Sequence, residues 1–158
     1  MSRLNTKRAQ LLLRNYLSKR KDFLVLSENI SWSVLFEMDA IMITKDWHIH
    51  EYEIKTSRGD FLKDKHKKVK DILKIDFIKG DAKSTDYYNE SRPNKFYYVA
   101  PQGLIKKNEI EPEYGLIEIL ESGQVITTKH AKLLHDKEVS MWYTISIARN
   151  FCLKMGRL

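Results

Sequence analysis

Apolar residues recur along this chain at two spacings, and the switches between them divide it into elements. In residues 6–19, Leu12, Leu13, Tyr16 and Leu17 form a stripe at helical spacing with Arg and Lys on the opposite side. Ser2 or Asn5 can cap that helix. Residues 22–27 contain the run Phe-Leu-Val-Leu, which predicts a short buried strand. Residues 34–44 are mostly strand formers, Lys45 and Asp46 read as a turn, and residues 47–56 predict another strand. Two apolar strands joined by a short polar turn predict an antiparallel hairpin.

Ser57 opens a second helix, and Asp60 three residues on makes a weak variant of the capping box. Phe61, Leu62, Val69, Ile72 and Leu73 supply its apolar face, with the run Lys-Asp-Lys-His-Lys-Lys on the other side. Residues 80–94 are polar and predict a loop. Strands follow at residues 96–100 and 115–120, then a turn at Ser122 and Gly123 and the strand-forming residues 124–128. An amphipathic helix over residues 140–153 closes the chain, with Trp142, Ile145, Ala148 and Phe151 as its apolar face. The order helix, strands, helix, strands, helix predicts an α/β layer architecture with a central mixed β-sheet flanked by helices.

Composition places these elements in one globular domain over residues 1–158, with 42% apolar and 31% charged residues. The formal net charge of +7 favours a polyanionic partner, because neutralising phosphates releases condensed counterions. The single cysteine, Cys152, can make no internal disulfide and no cysteine-based zinc site. Its apolar surroundings predict a buried core thiol, and the cysteine usage suits a reducing cytosol. The chain shows neither a signal-peptide stretch nor a run near the roughly 18 apolar residues of a membrane helix. A cytoplasmic protein without a membrane span is expected.

Candidate chemistry concentrates in the hairpin. Side chains alternate faces along a strand, so Glu37 and Asp39 share one face, and Glu51, Glu53 and Lys55 share one face of the next strand. Pairing the two faces gathers carboxylates and a lysine in a small volume. Like charges opposite each other destabilise a sheet unless a cation lies between them. Mg²⁺ takes oxygen ligands, commonly one or two carboxylates plus substrate phosphates.

At these residues the chain resembles the PD-(D/E)XK nuclease superfamily, with Asp39 matching the family's aspartate and Glu53-Ile54-Lys55 its (Asp/Glu)-x-Lys triplet. The stretch EYEIKTSRGDFLKDKHKK, the later NKFYYVAPQGLI and PEYGLIEI, and GQVITTKHAKLLH before the last helix are similar to the MmcB-like branch of DNA-repair nucleases. The resemblance runs from about Asp22 to the C-terminus. It implies a restriction-endonuclease-like core and Mg²⁺- or Mn²⁺-dependent hydrolysis of DNA phosphodiester bonds, in repair or in processing of phage or mobile-element DNA. It further implies that Asp39, Glu53 and the backbone carbonyl of Ile54 bind the metal, and that Lys55 orients the attacking water. Ser57 is read as a helix cap.

Two departures stand out. Many members add a glutamate from the first helix, but no acid lies between Met1 and Lys21 here. Glu37 is the candidate replacement and Glu28 a weaker one. Met38, not proline, precedes Asp39. The missing acid favours an alternative, a catalytically inactive DNA-binding module or partner platform on the same fold.

For DNA contacts, Arg58 adjoins the site, and Lys63, Lys65, Lys67, Lys68 and Lys70, with His66, crowd the following helix. Tyr87, Tyr88 and Arg92 are open candidates for base stacking, whereas Tyr97 and Tyr98 on a strand are expected in the core. His48 and His50 share the face opposite Glu51 and Glu53 and are read as ordinary strand histidines. A homodimer is compatible with all of this.

Overall fold

A computed structural model describes residues 4–33, 36–65 and 93–155. The first helix, α1 (Thr6–Leu17), begins at Asn5, whose side chain accepts the Arg8 N–H at 2.9 Å and satisfies one of the helix's orphan donors. Its buried face is Ala9, Gln10, Leu13 and Leu17. Strand β1 (Phe23–Ser33) follows, then β2 (Phe36–Thr44) and β3 (Ile49–Ile54). The helix α2 (Arg58–Lys65) and β4 (Lys95–Pro101) come next, then a 3-10 turn (Lys107–Glu109), β5 (Gly115–Ile119), β6 (Val125–Lys129) and the closing helix α3 (Met141–Met155).

The strands form one six-stranded mixed sheet in the order β1-β2-β3-β4-β5-β6. Neighbours are antiparallel from β1 to β3, parallel across β3-β4 and β4-β5, and antiparallel at β5-β6. The expected hairpin is β2-β3, in the register Ala40 with Tyr52 and Ile41 with Glu51. Its turn extends to Trp47, which adopts φ 58°, so β3 starts two residues later than expected. The predicted short buried strand is instead an 11-residue edge strand, β1. It has a neighbour on one side, and Leu24 is exposed.

Alternation along the strands sends their side chains to two faces, and helices cover both. On one face Ala9, Leu13 and Leu17 of α1 pack on Ala40, Met42, Tyr52, Ile54, Tyr97, Val99 and Ile117. On the other, Tyr143 and Ile147 of α3 cover Ile41, Ile43 and Ile49, while Phe61 of α2 packs with Phe96, Tyr98, Ala100 and Leu116. Tyr97 and Tyr98 are thus core residues, as expected, on opposite faces.

The closing helix presents a different side from the one expected. Trp142 is 79% exposed and Ile145 is exposed, while Tyr143 and Ile147 are buried. Both stripes have helical spacing and this helix is apolar on several sides, so periodicity alone does not choose between them. Contacts at the helix entry fix the phase. Ser140 Oγ accepts the Tyr143 N–H at 3.2 Å, and the Val139 N–H donates to the Trp47 carbonyl at 2.8 Å. The same rotation turns Cys152 outward, so it is exposed rather than a core thiol. On α2, Phe61 is buried but Leu62 is exposed.

Asn94, placed by its polarity in a loop, is 1% exposed. Its Oδ1 accepts the Ile49 N–H at 2.7 Å, and its Nδ2 donates to the carbonyls of His135 at 3.0 Å and Lys137 at 2.8 Å. One side chain thereby ties the start of β3 to the segment leading into α3. Asn94→Ala leaves these buried groups without that partner, and a loss of roughly 3 kcal/mol is expected in equilibrium denaturation, with the m-value unchanged.

Candidate active site at the carboxyl end of the third strand

One step beyond the registered pair Ala40 with Tyr52, Asp39 stands beside Glu53, on the face away from α1. There β3 leaves the regular ladder. The Ile54 N–H donates to Asp39 Oδ2 at 2.8 Å, so a side chain takes the place of a backbone acceptor. A strand residue presents its N–H and C=O to the same side, so the Ile54 carbonyl is also directed toward β2 and Asp39. β3, β4 and β5 are mutually parallel, and the carboxyl ends of parallel strands are where α/β folds bind ligands.

Lys55, the residue after β3, is only 4% exposed. Its Nζ donates to Glu53 Oε1 at 2.6 Å and lies 3.6 Å from Asp64 Oδ1 and 3.9 Å from Asp60 Oδ2. Burial acts against the ammonium, but the charge and hydrogen bond of Glu53, followed by Asp64 and Asp60, outweigh it, and the Lys55 pKa is raised. Asp39 moves upward too. Burial is the main cause and the Glu53 charge the second, and the Ile54 N–H and Lys55 offset them in part. Two carboxylates side by side, one of them desolvated, form a site whose charge is incompletely neutralised.

Helix α2 contributes acids that the sequence reading set aside. Asp60 is the expected cap partner of Ser57, and its N–H donates to Ser57 Oγ at 3.2 Å. Asp64, the acid within the run Lys-Asp-Lys-His-Lys-Lys, is 2% exposed and faces Lys55. The Tyr98 hydroxyl also bonds Asp64, and burial followed by the charges of Asp64 and Glu53 pushes the Tyr98 pKa up. The signal was present in the i, i+4 spacing of Asp60 and Asp64, which puts both on one helical face.

The remaining candidates divide. Glu37 holds the expected place on β2, paired with Ser31, but its side chain lies outside the described residues. Glu51 shares the face of Glu53 and pairs with Ile41. Glu28, the weaker substitute ligand, points the other way. It pairs with Ala40 on the α1 face and accepts Arg14 at 3.0 and 2.5 Å, because an arginine from α1 is the nearest cation. Arg58 is engaged with both carboxylate oxygens of Glu109 and with the Leu104 carbonyl at 3.1 Å, and its guanidinium lies 5.3 Å from the centre of the Phe61 ring. That ion pair holds Glu109 down to about 2. Arg58 therefore anchors α2 to the 3-10 turn. Lys63 is exposed on α2, and Lys65 lies in the helix with its side chain outside the described residues. His66, Lys67, Lys68, Lys70, Tyr87, Tyr88 and Arg92 lie wholly outside them.

His50 faces the α1 side, as expected. Burial first, then Lys95 and Arg20, lower its pKa to about 4, so it is neutral at pH 7. His48 Nδ1 lies 3.2 Å from Asp46 Oδ2. The pair takes no part in the carboxylate site.

Among the described residues, no group of three or more His, Cys, Asp or Glu side chains is arranged to hold a metal ion. The donor set here is smaller: Asp39, Glu53 and the Ile54 carbonyl, all oxygen. It fits a hard cation of the Mg²⁺ kind, which is bound through one or two carboxylates plus substrate rather than by an all-protein cage.

No family model and no curated protein matches the chain. A solved structure of a protein of unknown function from Silicibacter pomeroyi is similar over 96% of this chain and 84% of its own, with a TM-score of 0.57 and 16% identity. The likeness is one of fold. It spans nearly the whole α/β architecture, a mixed six-stranded sheet with helices on both faces. No helix among the described residues is long and apolar enough to cross a membrane.

Proposed function

We propose that this chain is a metal-dependent nuclease of the PD-(D/E)XK type, hydrolysing DNA phosphodiester bonds at the carboxyl end of β3. The observation that carries the reading is the Asp39–Glu53 pair on one sheet face, with Lys55 hydrogen-bonded to Glu53 at 2.6 Å. The antiparallel β1-β2-β3 meander after a first helix, and the helix that follows the triplet, support the same reading. So does the net charge of +7, which suits a polyanionic substrate.

Asp39, Glu53 and the Ile54 carbonyl would hold the Mg²⁺ or Mn²⁺ ion. When bound, that ion supplies Lewis-acid polarisation of phosphodiester oxygens. Asp39, itself held by the Ile54 N–H, presents a fixed acceptor. Lys55 stays cationic, fixed by Glu53, Asp60 and Asp64, so it serves as a hydrogen-bond donor that orients the water and stabilises anionic charge developing on the phosphate. It is poorly suited to accept a proton. The α2 acids keep that ammonium in place.

The second reading is a DNA-binding module or partner platform without activity. It is favoured by the lack of an acid in α1 and by the way Lys55 is already engaged by Glu53, Asp60 and Asp64. Incubation with single-stranded, duplex and branched DNA in Mg²⁺ or Mn²⁺ separates the two. Cleavage that stops on chelation is expected. DNA binding with no product from any of these substrates supports the module instead.

A further inference from the structure

We infer that Gln10 of α1 is a positioning residue for the Asp39 carboxylate, reaching it through the back of the sheet; the inference rests on the nuclease reading above.

Gln10 is the polar member of α1's buried face, among Ala9, Leu13 and Leu17. A buried amide is costly in such a place unless its hydrogen bonds are made. Its Nε2 donates to the Asp39 backbone carbonyl at 3.2 Å and to Asn29 Oδ1 at 2.7 Å. The carbonyl can only accept, which fixes the orientation of the Gln10 amide and requires Asn29 to present its oxygen.

Asn29 lies between the registered pairs Glu28 with Ala40 and Ile30 with Met38, and so stands opposite Asp39 on the edge strand. Its φ of 50° is left-handed within an otherwise extended strand. Asparagine tolerates that conformation better than most residues, but it persists only where the surroundings over-determine it. Here the Gln10 amide does so.

The result is a row of contacts across three strands. Asn29 on β1 orients Gln10, Gln10 holds the Asp39 carbonyl on β2, and Asp39 Oδ2 accepts the Ile54 N–H on β3. Fixing the Asp39 peptide from behind steadies the backbone from which its carboxylate reaches the Ile54 N–H beside Glu53. Residues that orient a metal-binding carboxylate in this way typically change cation affinity by about 10- to 100-fold when lost.

Gln10→Met keeps the length and volume of the side chain and removes both donor bonds. Two readouts are taken on the full chain without nucleic acid: hydrogen-exchange protection of the Ile54 amide, and Mn²⁺ affinity by titration. Protection at Ile54 is expected to fall about 10-fold while core amides such as that of Val99 keep theirs, and Mn²⁺ is expected to bind about 10-fold more weakly. Ile54 protection and Mn²⁺ affinity both within twofold of wild type, in a folded variant, overturn the inference. If the wild type binds Mn²⁺ no better than Asp39→Ala does, it is the nuclease reading that fails, and the Ile54 amide still decides the role of Gln10. Should Gln10→Met not fold, Asn29→Gly, which accepts the left-handed backbone and removes the acceptor orienting Gln10, is judged by the same criteria.

Discussion

Lys55→Ala is expected to lower DNA cleavage on the order of 10³-fold and at the same time to destabilise the protein by roughly 3–5 kcal/mol. Both effects come from one ammonium. In the folded protein it is 4% exposed, bonded to Glu53 at 2.6 Å and close to Asp64, which is 2% exposed. On the proposed nuclease reading, removing it takes away the donor to the developing phosphate charge. It also leaves Asp64 buried with the Tyr98 hydroxyl but without its cation, and uncompensated buried charge is the most destabilising state of an ion pair. Single-turnover cleavage checks the first effect, and equilibrium denaturation in chelator checks the second. Normal stability in this variant would show that the three carboxylates do not depend on Lys55.

Asp39→Asn is expected to abolish cleavage to a similar degree but to melt no lower than wild type, and higher at neutral pH in chelator. The sign follows from its titration. Burial and Glu53 raise the Asp39 pKa above the ordinary carboxylate value of 3.8. Between those two values the folded state holds a proton that the unfolded state has lost, so stability falls as pH rises through the window. Above it the ionised carboxylate is a net burden on the metal-free fold. Asparagine removes the charge and retains an oxygen to accept the Ile54 N–H. The difference between the variant and wild type should therefore shrink as pH is lowered through the raised folded-state pKa of Asp39. Melting curves in chelator between pH 4 and 8 test this, and a variant that melts lower at pH 7 contradicts it. The two inactive variants are thus expected to differ in the sign of their stability change, which a merely damaged fold does not produce.

The hairpin and its acidic face were legible because alternation along two strands and a short turn leave little freedom in register. Asp39 and Glu53 meet where counting by two puts them. The face of α3 was not legible, since Trp142–Ile145 and Tyr143–Ile147 are both helical stripes, and only the contacts of Ser140 and Val139 choose between them. Asp60 and Asp64 were read as local features of a helix terminus and a basic run. Their role depends on how α2 docks against the sheet, with Phe61 on Tyr98, and that is a tertiary fact. Gln10 carried no signal of its own. A glutamine in a helix is ordinary until an edge strand and a carboxylate strand are found on its far side.

On the proposed reading, Asp39 and Glu53 form a cation site whose negative charge is incompletely neutralised in the metal-free fold. Thermal melting of wild type and Asp39→Asn, each in chelator and in saturating Mn²⁺, tests it directly. At Mn²⁺ about 100-fold above its dissociation constant, wild type should gain roughly 2.7 kcal/mol, which is about 5–10 °C in Tm for a chain of this size, and the variant should gain little. An unchanged Tm for wild type, or an equal rise in both proteins, would contradict the account.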